Sequence, residues 1–317
     1  MSSEPKMDTP NPVRDEIKLW SRGQEAAFAL LLEMAEAFYC TDWPDSGLRP
    51  RLDTMLAGPS GVGKSHVVRA VARKLELPIL RLTYNEWLVT GAREIPYTLA
   101  RVHEFVEDNK RGLIHVDELD KFKSAHRTDW STSVHGELLL LLDRSLQQPT
   151  RKLSWTPFMQ AKLRKSYLII GSGTWQLTWS ENAKPRMGFQ NSASVAPEMI
   201  QREIEKSGII PAELFRRFNS EVIILPPATE ADYRNGAAIY GLDRIAHELG
   251  VNLDYTQALE RGLGARWLEE TLARLLRIAR KQGKQLFPPN PIPVAGPSDE
   301  PDFEFDEFDE TESDIPF

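Results

Sequence analysis

Short apolar runs alternate with stretches of helical period through the first 226 residues, and from Thr229 on only the helical period remains. The runs Leu52–Leu56, Ile79–Thr83, Leu113–Val116, Tyr167–Ile170 and Val222–Leu225 have the length and continuity of strands buried on both faces. Helical stretches lie between them, with one before the first strand from about Gly23 to Tyr39 and one over Val67–Lys74. Strands alternating with helices predict an α/β fold, a parallel five-stranded sheet sandwiched by helices. Beyond it, Ala231–Leu249 reads as one amphipathic helix and Ala265–Lys281 as another, with Val251-Asn252-Leu253-Asp254 as a short strand between them. These predict a small α-helical domain packed beside the sheet.

The ends read differently. Residues 1–15 are polar and carry Pro5, Pro10 and Pro12, and after Leu286 seven prolines fall among the last thirty residues. Both predict disorder. The expected organisation is a disordered N-terminus at 1–15, the α/β domain at 16–226, the helical domain at 227–284, and a Pro-rich linker with an acidic tail at 285–317. No internal repeat is evident.

Charge supports that division. The chain of 317 residues carries a net charge of −7, but ten of its 46 acidic residues lie from Asp299 on, without one basic residue among them. The remaining 36 face 39 basic residues, so the expected folded body is close to neutral. No apolar run approaches the ~18–20 residues that span a bilayer. The N-terminus lacks a signal-like apolar stretch. The single cysteine, Cys40, closes neither an intrachain disulfide nor a cysteine zinc cage. The expectation is a cytoplasmic protein.

The chemistry is concentrated in two segments. Gly58-Pro59-Ser60-Gly61-Val62-Gly63-Lys64-Ser65 matches G-x-x-x-x-G-K-[ST] between a strand and a helix, the context in which that loop wraps phosphates. Its glycines turn backbone N–H groups inward, His66 continues the turn into the helix, Lys64 brings charge to the β- and γ-phosphates, and Ser65 ligates Mg²⁺. Leu113-Ile114-His115-Val116-Asp117-Glu118 ends a buried strand in two carboxylates at the sheet edge where open α/β sheets bind ligands. Asp117 is placed for the Mg²⁺ shell and Glu118 to orient and deprotonate an attacking water. ATP and Mg²⁺ are the expected cofactors.

The order of the remaining motifs resembles the AAA+ ATPases, in particular the Clp/HslU-type unfoldases, over about Gly23 to Gln282. Asp117-Glu118-Leu119-Asp120-Lys121 resembles that group's D-E-[IL]-D-K. Gly208-Ile209-Ile210-Pro211-Ala212-Glu213-Leu214-Phe215-Arg216-Arg217-Phe218 resembles its arginine-finger segment, and Gly264-Ala265-Arg266-Trp267-Leu268 its sensor-2 motif. The resemblance implies a P-loop AAA+ sheet with a helical lid and a homo-oligomer, a hexamer, in which Arg217 reaches a neighbour's γ-phosphate. Arg216, offset by one, is the alternative. Arg266 is the implied sensor 2, and Thr174 or Ser172 the sensor-1 hydroxyl. Trp87-Leu88-Val89-Thr90-Gly91 falls where such enzymes carry a pore loop, although a helix packing Trp87 into the core fits equally. Met187-Gly188-Phe189 falls near a peptidase-docking tripeptide and is otherwise a plain loop. The basic stretch Arg151, Lys152, Lys162, Arg164 and Lys165 with Trp155 and Phe158 suits single-stranded nucleic acid or a solvated insertion.

The chain ends Asp314-Ile315-Pro316-Phe317 behind the acidic linker, which resembles the tip of bacterial single-stranded-DNA-binding proteins. That resemblance implies docking on replication and repair proteins, with Phe317 in an apolar pocket and the acids on a basic rim. A solubilising tail is the plain alternative. Two classes of function follow: an ATP-driven ring that remodels a protein or nucleoprotein complex, and a nucleotide-switched, DNA-associated loader or scaffold.

Overall fold

Each of the five apolar runs forms a parallel strand in the computed structural model, which describes residues 17–40, 50–83, 86, 97–123, 129–146, 155–175, 197–207, 212–218 and 222–287. In chain order these residues form α1 (Arg22–Tyr39), β1 (Thr54–Ala57), α2 (Lys64–Lys74), β2 (Ile79–Thr83), α3 (Tyr97–Asp108) and β3 (Gly112–Asp117). A 3₁₀ turn, Leu119–Lys123, precedes α4 (Asp129–Asp143), α5 (Pro157–Ser166) and β4 (Tyr167–Gly173). Then come α6 (Pro197–Ser207), α7 (Ala212–Phe215) and β5 (Val222–Ile224). The last part holds α8 (Glu230–Ile239), α9 (Leu242–Glu248), α10 (Thr256–Arg261) and α11 (Ala265–Lys281). Among the described residues no helix is long and apolar enough to cross a membrane.

The sheet order is β2-β3-β4-β1-β5, with β2 and β5 at the edges. The register sets Thr83 beside Asp117 and Ala57 beside Gly173, so the carboxyl ends of β1, β3 and β4 finish at one edge. The central strands are buried throughout, which is why they read as continuous apolar runs rather than as an alternation. Successive side chains still point to opposite faces. Ile114, Val116 and Ile169 enter a core with α3 and α4. Leu113, Leu168 and Ile170 enter another with α1 and α2.

A third core lies among the last four helices, where Tyr233, Ala237, Leu242, Trp267, Leu268 and Leu275 meet. Trp20, which precedes α1, belongs to this core, with its ring centroid 5.7 Å from that of Tyr233. Burying an aromatic side chain stabilises by about 1.5–3 kcal/mol, so this residue fastens the segment before α1 to the helical part. The side chain of Asp232 holds it further, accepting from the Arg22 amide at 3.0 Å. The segment before α1 therefore packs on the helices that follow Thr229.

Two expectations about the helical part are corrected. The stretch Ala231–Leu249 is two helices, because Gly241 adopts φ +69 and caps α9 in the left-handed region. The residues Val251-Asn252-Leu253-Asp254 form no strand. The Val251 amide instead donates to Ala246 O at the end of α9, and Val251 and Leu253 pack on the third core. Residues 1–15, the Trp87–Gly91 segment, Arg151, Lys152, the Met187-Gly188-Phe189 tripeptide and the tail with Asp314, Ile315, Pro316 and Phe317 lie outside the described residues.

Candidate nucleotide site

A cavity of about 940 Å³ opens where the phosphate loop, the ends of β3 and β4, and α11 converge. The loop passes from β1 into α2 through Gly63, whose φ of +96 turns the chain so that α2 begins at Lys64. Ser60, Gly61, Gly63, Lys64, Ser65 and His66 all face the cavity, with the N-terminus of α2 aimed into it. Gly58 and Pro59 act through their carbonyls, which accept from Lys64 Nζ at 2.8 and 2.9 Å. Val62 is buried and its carbonyl accepts from Gln24 Nε2 at 2.9 Å. His66 Nε2 lies 3.0 Å from the Lys18 carbonyl.

Lys64 is only 7 % exposed. Burial lowers its ammonium to about 8, although Asp117 and Asp120 act in the opposite direction. A cation held this way gains more than a solvated one from an arriving phosphate.

Asp117 is the hub of the site. Its Oδ1 accepts from Ser172 Oγ at 2.6 Å and from the Glu118 amide at 3.0 Å. Its Oδ2 accepts from Ser65 Oγ at 2.9 Å and from Arg81 Nη2 at 2.8 Å. Burial opposes its charge, but the His115 ring and the bonds from Ser172, Arg81 and Ser65 outweigh that and hold it well below the usual carboxylate range. His115 Nε2 lies 2.9 Å from Ser172 Oγ. Because the Ser172 proton goes to Asp117, Nε2 is the donor to that oxygen. Burial pushes His115 down to about 4, so the ring is neutral near pH 7.

Glu118 follows at φ +64 and faces the cavity, where its Oε1 accepts from Lys121 Nζ at 2.6 Å. The two sensor-1 alternatives separate by position. Ser172 is fully buried with its hydroxyl on Asp117. Thr174 lines the cavity, its amide and Oγ1 donating to Asp120 at 2.9 and 2.6 Å. Arg266 lines the same cavity from the first turn of α11. Arg217 does not line this cavity: its Nε donates to Asp143 Oδ1 at 2.6 Å and its Nη1 to the Glu213 carbonyl at 2.8 Å. The carbonyl of Arg216 accepts from Arg51.

Sequence reasoning missed several residues of the wall. Trp20, Tyr240, Leu242 and Leu272 form its apolar end beside the amide of Gln24, and Arg69 and Arg81 add cations to the lining. None lies in a motif, and only packing brings them together.

The residues present fit Mg²⁺ with a nucleotide. Ser65 Oγ and Asp117 Oδ2 are hard oxygen donors already 2.9 Å apart, and the glycine-rich turn leaves room for phosphates. Among the described residues no group of three or more His, Cys, Asp or Glu could hold a metal alone. A cation here would complete its shell with phosphate oxygens and water, as Mg²⁺ does.

Residues 54–179 match the family described as "ATPase family associated with various cellular activities (AAA)". The chain is 24% identical over 258 residues to the ATP-dependent Clp protease ATP-binding subunit ClpX 2 of Wolinella succinogenes, which covers 70% of this chain and 64% of that protein. It is 32% identical over 100 residues to the proteasome-activating nucleotidase of Methanosphaerula palustris, 30% of this chain and 24% of that one. It is also 28% identical over 102 residues to the 26S proteasome regulatory subunit 6B homolog of Saccharomyces cerevisiae, 32% and 24%. The chain thus spans less than two thirds of the first of these relatives and about a quarter of the other two. The phosphate loop at the end of β1 and the paired carboxylates at the end of β3 both fall inside the stretch that matches the AAA ATPase family, residues 54–179, and together they make a site for ATP and Mg²⁺.

Proposed function

We propose that this chain hydrolyses ATP in the cavity and spends the energy on remodelling a protein or nucleoprotein complex. The observation that carries this reading is the convergence of Lys64, Ser65, Asp117, Glu118, Thr174 and Arg266, from four separate segments, on one site. Mg²⁺, when bound, neutralises charge on the β- and γ-phosphate oxygens. The chain's residues do the rest. Lys64 releases the loop carbonyls and takes the phosphates, Ser65 and Asp117 hold the cation, and Arg266 closes on the phosphates from the α11 side. Thr174 fixes the attacking water, whose proton Glu118 accepts. The apolar end, with Trp20 and Leu242, suits the base.

Arg217 stands outside its own cavity, which fits a residue that acts on a neighbouring subunit in a homo-oligomer, a hexamer by resemblance. Protein remodelling is favoured over a loader or scaffold by the names of the relatives, two of which refer to the proteasome and one to the Clp protease. The residues Asp314-Ile315-Pro316-Phe317 support recruitment to proteins that bind the single-stranded-DNA-binding protein.

The decisive experiment measures turnover and binding together. Glu118→Gln should bind ATP yet turn it over about 10²–10⁴-fold more slowly, the range for a lost general base. Lys64→Ala should lose nucleotide affinity. Stimulation of wild-type turnover by an unfolded protein supports remodelling, whereas stimulation by single-stranded DNA alone replaces it with the loader reading. A synthetic Asp-Ile-Pro-Phe peptide that fails to compete for any partner removes the recruitment proposal.

A further inference from the structure

Asp117 carries a cation supplied by its own chain. Arg81 lies on the edge strand β2, directly opposite His115 in the β2–β3 register, and reaches diagonally to Asp117. Its Nη2 lies 2.8 Å from Oδ2, the same oxygen that accepts from Ser65 Oγ. The two partners differ sharply in setting: the Asp117 side chain is 9% exposed and that of Arg81 is 58% exposed. The guanidinium therefore comes in from the solvent side and covers an inner carboxylate, on a long stem that is free to withdraw. Arg81 alternates with Leu80 and Leu82, which are buried in the sheet core, so the strand holds it towards the cavity. Glu118 is treated alike, with Lys121 on its Oε1. Each carboxylate at the end of β3 thus carries one cation of this chain.

We propose that Arg81 is a positioning residue that stands on Asp117 in the metal-free site and yields its oxygen when Mg²⁺ arrives with nucleotide. This rests on the reading of the cavity as an Mg²⁺–nucleotide site. Oδ2 and Ser65 Oγ are the two protein oxygens best placed for the cation, and a carboxylate oxygen shared by a serine hydroxyl and a guanidinium has no lone pair to spare for a third partner. Cation and guanidinium therefore compete. In the metal-free protein Arg81 keeps Asp117 pointed at Ser65 and Ser172 in place of the metal. With Mg²⁺ in place, Arg81 withdraws toward solvent, where more than half of its side chain already lies.

The test compares ADP affinity in EDTA with that in excess Mg²⁺, by titration calorimetry on the full chain, for wild type, Arg81→Gln and Arg81→Lys. The ratio of the two dissociation constants reports the gain from Mg²⁺. Removing the competitor should raise that ratio in Arg81→Gln by about twofold to fivefold, the range that a partly exposed ion pair commands. Arg81→Lys, which keeps the charge, should remain near wild type. Without ligand in EDTA, Arg81→Gln should also melt earlier than wild type, and excess Mg²⁺ with ADP should close the gap. An unchanged or lowered ratio in Arg81→Gln overturns the proposal, as does an Arg81→Lys ratio as high as that of Arg81→Gln. A wild-type ratio of one overturns the underlying Mg²⁺ reading as well, which separates the two failures.

Discussion

The amide of Ala265 donates to the carbonyl of Gly61 at 2.8 Å, so the longest helix of the C-terminal part is bonded directly to the phosphate loop. Gly264 makes this possible. Its φ of 58 and ψ of −137 suit glycine almost alone, and a Cβ there would run into the Gly61 carbonyl. Any change in the loop on phosphate binding therefore reaches α11 without an intermediary, and Arg266 is the next residue but one.

Gly264→Ala should then lose both stability and nucleotide affinity. Strain of about 1–3 kcal/mol translates into a melting point lower by several degrees. The fitting control is Gly241→Ala, which bears a similar positive φ but has nothing within 4 Å of a Cβ. It should lower the melting point and leave ADP affinity unchanged. Equal affinity losses in the two variants would show that the loop contact is immaterial.

Arg217 should matter only between subunits. Arg217→Ala should bind ATP as wild type does and hydrolyse it ~10³-fold or more slowly, as arginine fingers do. Its present partner, Asp143, is 41% exposed, so the pair is worth little and is readily exchanged for a neighbour's phosphate. Mixing Arg217→Ala with Glu118→Gln subunits should recover activity at junctions that join one intact finger to one intact base. Full-rate hydrolysis by a preparation that sedimentation shows to be monomeric would sink the assignment.

The sheet was legible because its central strands β1, β3 and β4 are buried on both faces, which writes them as apolar runs, and because the phosphate loop and Asp117-Glu118 are each contiguous. The helix Ala265–Lys281 was legible to the residue from its strong amphipathic period. What sequence could not give were contacts made at a distance. Arg81 lies 36 residues from Asp117, and Gln24 lies 38 from Val62. Neither belongs to a pattern, since a lone polar residue on an edge strand or in a first helical turn looks like a solvated one. The helix break at Gly241 was hidden because the apolar period continues across it, and the apparent strand at Val251–Asp254 was only a loop whose apolar residues cover the third core.

His115 should make the protein acid-sensitive. Burial depresses it from the ordinary value of 6.5 to about 4. Between those values the unfolded chain takes up a proton that the folded chain refuses, so stability is lost as pH falls through that window and is untouched above it. The 2.5-unit interval corresponds to about 3 kcal/mol at full extent. In His115→Gln, which keeps a donor for Ser172, thermal midpoints should decline less between pH 6.5 and 4, and the two curves should converge on acidification. Parallel curves over that range would mean that another group governs the acid limb.

Gln24 should prove to be the bolt between the phosphate loop and the segment before α1. It is fully buried, its Nε2 donating to Val62 O at 2.9 Å and its Oε1 accepting from the Trp20 amide at 3.0 Å. Trp20 in turn belongs to the third core, so one side chain joins the loop to the helices that bear Arg266. Gln24→Leu leaves a buried carbonyl and a buried amide without partners, at about 1–3 kcal/mol each. It should lower both the melting point and ADP affinity. Gln24→Glu divides the two bonds: the carboxylate still accepts from Trp20 but faces the Val62 carbonyl without a proton, and it places a negative charge at the edge of the phosphate site. Its affinity for ADP should fall further than that of Gln24→Leu and recover in part as salt screens the repulsion. If Gln24→Glu binds ADP as tightly as wild type at low salt, the Gln24–Val62 bond does not set the loop, and the coupling runs through Gly61 and Ala265 alone.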